Sequence, residues 1–150
     1  MRPRFLREAF ARLLVTATFM LVAGAACAET LALGDSIALG TGQAIHAETV
    51  AVKGMGSCAI ERMMPAKHFD RAVISAGVND APGLCVDAIL ARVDADKVIV
   101  ILPPGINSAR KHIEAAAAAH HFKTISFIPG NDGLHPRSYA EVAAKVNASW

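Results

Sequence analysis

Short apolar runs alternate along the chain with segments whose apolar residues recur at helical spacing. Residues 30–33, 48–52, 72–75, 98–102 and 124–128 are rich in aliphatic and β-branched side chains and lack clean apolar–polar alternation. Runs of this kind predict strands covered on both faces. Helices are predicted between them. Residues 58–64 end at Pro65, and 86–93 carry Val86, Ile89, Leu90 and Val93 on one helical face. Residues 109–121 are rich in alanine, the strongest helix former, and 138–147 follow Pro136 as a helix start does. The connection from Ser36 to the second strand leaves room for about one or two helical turns. Strand alternating with helix predicts one α/β domain, a three-layer α/β/α sandwich around a five-stranded parallel sheet. No internal repeat or low-complexity linker divides it.

In an open parallel sheet the loops at the carboxyl ends of the strands share one edge, and ligands bind there. Glycine and polar residues concentrate in those loops. Gly34-Asp35-Ser36 follows the first strand, Lys53-Gly54-Met55-Gly56-Ser57 the second and Gly77-Val78-Asn79-Asp80 the third. Pro103-Pro104-Gly105 follows the fourth, and residues 130–135 follow the fifth. The topology alone therefore gathers the candidate chemistry on one rim.

The amino-terminal pattern is different in kind. Arg2, Arg4, Arg7 and Arg12 precede an almost wholly apolar stretch from 13 to 26, and Ala26-Cys27-Ala28 is a small-x-small cleavage pattern. This reads as a secretory signal peptide over 1–28, with the domain at 29–150. The apolar run is shorter than the roughly 20 residues of a membrane span. The whole chain carries 15 basic and 13 acidic residues. Four Arg and Glu8 belong to the leader; without them 11 basic and 12 acidic residues remain, a net of −1. A nearly neutral domain offers no electrostatic case for nucleic acid or an anionic membrane. Export, periplasmic or secreted, also changes the reading of the cysteines. Cys58 and Cys85 are the two left after cleavage, and an oxidising compartment favours one bridge between them over two buried thiols.

Ser36, at a strand end before a helix, can present its hydroxyl at the rim near a positive helix terminus. Asp132 and His135, three residues apart, can turn the same way from one loop and act as an acid–base pair. Gly56, through its backbone N–H, and Asn79, through its side-chain amide, can aim donors at an oxyanion. Each residue also has a plain structural use. Asp35 or Ser36 can cap a helix, Asn131-Asp132-Gly133 can make a turn, the glycines can fold tight loops, and Asn79 can close an Asx turn. Gly34-x-Ser36-x-Ala38 lies one residue from the nucleophile elbow of α/β-hydrolases. In that fold, however, the acid and the histidine are far apart in sequence. His120 and His121 lie at the end of the alanine-rich helix, where histidines complement the helix dipole, and His112 lies earlier on it. His46 and His68 stand alone.

The four blocks taken in order narrow these choices. Gly34-Asp35-Ser36-Ile37-Ala38-Leu39-Gly40, then Gly56, then Gly77-Val78-Asn79-Asp80, then Asp132-Gly133-Leu134-His135-Pro136 follow the first, second, third and fifth strands in turn. This arrangement resembles the SGNH (GDSL-type) serine hydrolases across the whole domain. The resemblance implies the flavodoxin-like fold of that family and a serine esterase without metal or organic cofactor. It implies Ser36 as nucleophile, His135 as base and Asp132 as its orienting acid. The implied oxyanion donors are the Ser36 N–H, the Gly56 N–H and the Asn79 amide. Gly54 also fits the second block loosely; Gly56 lies further past the strand end and takes the role.

The domain is short for this family, chiefly between Ser36 and the second strand and in the rim loops, which implies an open, shallow site. The expected substrate is a small-molecule or glycan ester with a short acyl or acetyl group, and the expected state is a monomer. A catalytically idle envelope-binding module on the same fold is the alternative. A Cys58–Cys85 bridge would tie together the loops of Gly56 and Asn79.

Overall fold

The computed structural model describes residues 28–80 and 85–150. The signal peptide expected over 1–28 lies, apart from Ala28, outside the described residues. Ten elements alternate along them: β1 (Thr30–Gly34), α1 (Ser36–Ala44), β2 (Glu48–Ala51), α2 (Ser57–Met63), β3 (Phe69–Ser75), α3 (Val86–Arg92), β4 (Ala95–Ile101), α4 (Ser108–Ala119), β5 (Lys123–Ile125) and α5 (Tyr139–Ser149). The strands form one all-parallel sheet in the order β2-β1-β3-β4-β5. The domain is the expected α/β sandwich, with a flavodoxin-like strand order. No described helix is long and apolar enough to cross a membrane.

The two-residue period of the central strands sorts their side chains into two cores. Leu31, Leu33, Ala72, Ile74, Val98 and Val100 face one side and pack on α2, α3 and α4 through Ile60, Ile89, Leu90 and Ile113. Val73, Ile99 and Ile101 face the other side and meet Ile37 of α1 with Val142 and Val146 of α5. Cover on both faces is why β1, β3 and β4 read as continuous apolar runs. The edge strands differ: Glu48 of β2 and Lys123 and Thr124 of β5 are exposed.

Local chemistry sets where the elements stop. α1 spans nine residues, about two and a half turns, so the first connection holds more helix than its length suggested. It ends at His46, whose φ is 55°. The N–H of His46 donates to Gln43 and that of Ala47 to Gly42, the paired bonds of a Schellman termination. α4 ends the same way at His121, φ 57°, with His121 donating to Ala118 and Phe122 to Ala117. That left-handed residue stops the helix two positions short of the alanine-based expectation.

β3 and β4 each start three residues earlier than their apolar runs, because Asp70, Arg71, Asp96 and Lys97 are polar residues inside the ladder. β5 is shorter than expected. Beyond Ile125 the Ser126 carbonyl accepts from the Lys145 ammonium and its hydroxyl from Arg110, so the chain leaves β4 before reaching Pro129.

Candidate active site

The first rim loop is shaped by a close approach between backbones. Gly34 has φ 144°, and a Cβ there would lie 1.8 Å from the Ser75 carbonyl oxygen. Only glycine fits against β3 at this point. The Asp35 N–H then donates to that same oxygen at 3.0 Å. Asp35 is buried. Its Oδ1 caps α1 by accepting from the Ile37 N–H at 2.9 Å and also accepts from the Ser75 hydroxyl at 3.0 Å. Burial pushes the Asp35 carboxyl above its usual range, against those hydrogen bonds. Its Oδ2 is buried without a partner among the described residues. Capping, one of the plain readings of this dipeptide, is thus what Asp35 does, and it leaves Ser36 as the first residue of the helix, partly exposed.

The loop after β5 folds on itself. Pro129 and Pro136 form an isolated bridge, Gly130 donates to the His135 carbonyl at 2.8 Å, and Arg137 donates to Ile128. Asp132 Oδ1 accepts from the backbone N–H groups of Leu134 and His135, both at 3.0 Å. Its Oδ2 lies 2.6 Å from His135 Nδ1. These backbone donors and the imidazole lower the Asp132 pKa to about 2, so the group is a carboxylate at neutral pH. An acceptor-only carboxylate requires a proton on Nδ1. In the neutral ring Nε2 is then an acceptor. It sits 2.9 Å from Ser36 Oγ, 99 positions away in sequence. Ser36, His135 and Asp132 therefore form one hydrogen-bonded chain in which the hydroxyl can pass its proton to a ring held by a fixed carboxylate.

The second and third loops are joined to each other. Gly56 is the N-cap of α2 with φ −80°, a conformation open to any residue. A Cβ at Gly56 would sit tight against Asp80, 3.3 Å from its Oδ2. Asp80 accepts from the Ser57 N–H at 2.6 Å and the Ser57 hydroxyl at 2.5 Å. The Asn79 amide donates to the Met55 carbonyl at 3.2 Å, which occupies one of its two N–H groups. Cys58 and Cys85 are disulfide-bonded, linking the start of α2 to the residue that precedes α3. Among the described residues the N–H groups of Ser36 and Gly56 have no protein partner. They and the second Asn79 proton are donors open to a ligand oxygen.

Gly54 does something else. With φ 71° and no atom near its Cβ position, it closes a tight turn in which the Met55 N–H donates to the Val52 carbonyl. Lys53 stands at the corner of that turn.

Beside Ser36 lies a cleft of about 830 Å³, lined by Leu39 and Gln43 of α1 with Lys53, His135 and Tyr139. Tyr139 packs on α1. A Cβ at Gly40 would lie 2.3 Å from the Tyr139 ring, and the hydroxyl donates to the Ser36 carbonyl at 3.2 Å. Burial, then the Asp35 carboxylate, raises the Tyr139 pKa. A cavity of about 370 Å³ at the opposite end of the sheet, lined by His120, Phe122 and Trp150 among others, contains none of these groups.

Ser36, Asp132 and His135 are thus in direct contact, and Gly56 and Asn79 sit on adjoining loops of the same rim. Ser57, Ser75, Asp80 and Tyr139 had no assigned role in the sequence. A polar residue closing an apolar strand was the available signal for Ser75, and the chain's one tyrosine, four positions past His135, for Tyr139. No family model, no curated protein and no solved structure matches the chain.

Proposed function

We propose that this protein is a serine esterase that cleaves a carboxylic ester through an acyl-enzyme. The observation that carries the proposal is the unbroken pair of contacts from Ser36 Oγ to His135 Nε2, 2.9 Å, and from His135 Nδ1 to Asp132 Oδ2, 2.6 Å. In this reading His135 takes the Ser36 proton as Oγ attacks the ester carbonyl. The developing oxyanion accepts from the Ser36 and Gly56 N–H groups and the Asn79 amide. The C–O bond to the alcohol breaks, and His135 returns the proton to that oxygen. Water, deprotonated by the same imidazole, then attacks the acyl carbonyl, and the acid leaves as Ser36 recovers its proton. Asp132 holds the ring and balances its transient positive charge.

The order of motifs described above supports this reading, and so does the buried capping of α1, which holds Ser36 at the helix start. A small-molecule or glycan ester with a short acyl or acetyl group suits the short rim loops read from the sequence.

Incubation of the purified domain with p-nitrophenyl acetate and a fluorophosphonate probe tests the reading. Native protein should hydrolyse the ester and be labelled at Ser36, and Ser36→Ala should do neither. Equal behaviour of the two proteins would remove the esterase reading. Glycan binding without labelling would favour an idle binding module instead.

A further inference from the structure

The cleft beside Ser36 has an uneven charge. Among the described residues Lys53 is the one lysine or arginine lining it, and no aspartate or glutamate lines it. Asp132 is turned toward His135 and the backbone N–H groups of its own loop. Asp35 is buried beneath the start of α1. Lys53 itself is exposed and has no salt-bridge or hydrogen-bond partner among the described residues. Lys67, by contrast, is held by Glu29 and Glu48, and Arg92 by Glu61.

The position of Lys53 is built by the backbone. Gly54 at φ 71° closes the turn from Val52 to Met55, and the Val52 N–H donates to the Gly34 carbonyl at 3.1 Å. That second bond fastens the turn to the strand end two residues before Ser36. The lysine is therefore carried on a short, anchored corner rather than on a long loop. In the same cleft, Leu39 and the Tyr139 ring offer apolar surface, and the exposed Gln43 adds a neutral amide. An apolar wall with one cation and one amide suits a small organic molecule with a single negative charge. A phosphate dianion would leave about one charge uncompensated, whereas a carboxylate matches the lysine one to one.

We infer that Lys53 is a specificity-determining residue that selects esters bearing a carboxylate near the scissile bond. The inference rests on the esterase reading for its turnover readout, though not for its binding readout. An exposed ammonium facing a carboxylate contributes at the level of a surface ion pair, so its removal should cost about fivefold. The interaction is present before and during reaction alike, so the change should fall on KM.

The test compares native protein, Lys53→Met and Lys53→Glu on three esters. Phenyl acetate is neutral, 3-acetoxybenzoate carries a carboxylate on the alcohol side, and phenyl hemisuccinate carries one on the acyl side. For at least one anionic ester, the ratio of its kcat/KM to that of phenyl acetate should fall about fivefold in Lys53→Met. It should fall further in Lys53→Glu, and in native protein it should fall as salt is added. The ester that responds identifies which side carries the charge. Ratios that stay the same in all three proteins for both anionic esters would overturn the inference.

A parallel NMR titration of Ser36→Ala, with and without Lys53→Glu, by 3-acetoxybenzoate and by phenyl hemisuccinate separates the two readings. Weaker anion binding in the double variant supports the role of Lys53 even if no ester is hydrolysed. Equal binding of both anions by the two proteins overturns it even if the esterase reading stands.

Discussion

Replacing Gly34 with alanine puts a methyl group where the Ser75 carbonyl oxygen already sits. The built Cβ would be 1.8 Å from that oxygen and 2.8 Å from its carbon, at a φ of 144°. Neither neighbour is a flexible side-chain end, so β1 and β3 must separate where Gly34 pairs with Ser75. A non-glycine residue in this backbone region costs about 1–2 kcal/mol. Separation also breaks the 3.0 Å bond from the Asp35 N–H to the Ser75 carbonyl, and an orphaned buried pair adds about 2–3 kcal/mol. The sum, about 3–5 kcal/mol, is a large part of the roughly 5–15 kcal/mol available to a domain. At about 4 °C per kcal/mol for this size, Tm should fall by roughly 12–20 °C.

Urea denaturation followed by circular dichroism, with thermal melts alongside, reads the effect. Gly133→Ala is the control: its φ is 70°, but nothing lies within 4 Å of its Cβ position. It should lose only about 1 kcal/mol from backbone strain. Equal losses in the two variants, or a Gly34→Ala midpoint within about 0.5 kcal/mol of the parent, would refute the close-approach argument.

Two further outcomes follow from other parts of the structure. The Cys58–Cys85 bridge closes a sequence separation of 27, for which chain entropy gives about 3.5 kcal/mol. The Cys58→Ser/Cys85→Ser variant should lose about 2–4 kcal/mol in chemical denaturation, and parent-like stability would contradict the estimate. Asp35, raised by burial, retains its proton in the folded state at pH values where the unfolded chain has released it. Its relative contribution is therefore most favourable below the ordinary carboxylate value of 3.8 and is lost as pH rises through the raised folded value. Asp35→Asn keeps the capping oxygen and should flatten that slope in denaturation at stepped pH; an unchanged slope would sink the assignment. Asp132, lowered to about 2, acts in the opposite sense, its contribution present above 3.8 and lost toward pH 2, so the two windows are separable.

The parallel sheet was legible because β1, β3 and β4 are covered on both sides, and a strand so placed has no reason to alternate. What escaped was the polar half of a strand. Asp70, Arg71, Asp96 and Lys97 sit in the ladder because backbone pairing, not side-chain burial, holds them there. Helix ends escaped for a related reason: a histidine at positive φ leaves no mark like the glycine that usually occupies that place. The candidate site was readable wherever a residue's function lies in its own side chain, as for Ser36, Asp132 and His135. It was not readable where the role depends on a neighbour from another strand. Gly34 makes room for the Ser75 carbonyl and Gly40 for the Tyr139 ring, and Gly56 lies close against Asp80. Those partners are 41, 99 and 24 positions away in sequence, a relation that no local pattern encodes. Gly54 and Gly56, alike in sequence, separate once φ and neighbours are known: one turns the chain and the other lies against Asp80.

The loop bearing Asp132 and His135 holds its own shape. The acid is fixed by the N–H groups of Leu134 and His135, two and three positions further on, and the loop is closed by Gly130 and the Pro129–Pro136 bridge. Among the described residues, nothing in that internal wiring is borrowed from the other rim loops. The dyad is consequently a portable cassette, needing only a strand end to stand on and a hydroxyl within reach. Lengthening or recasting the loops after β2, β3 or β4 can diversify what is admitted to the rim while the acid–imidazole geometry travels through such change unaltered.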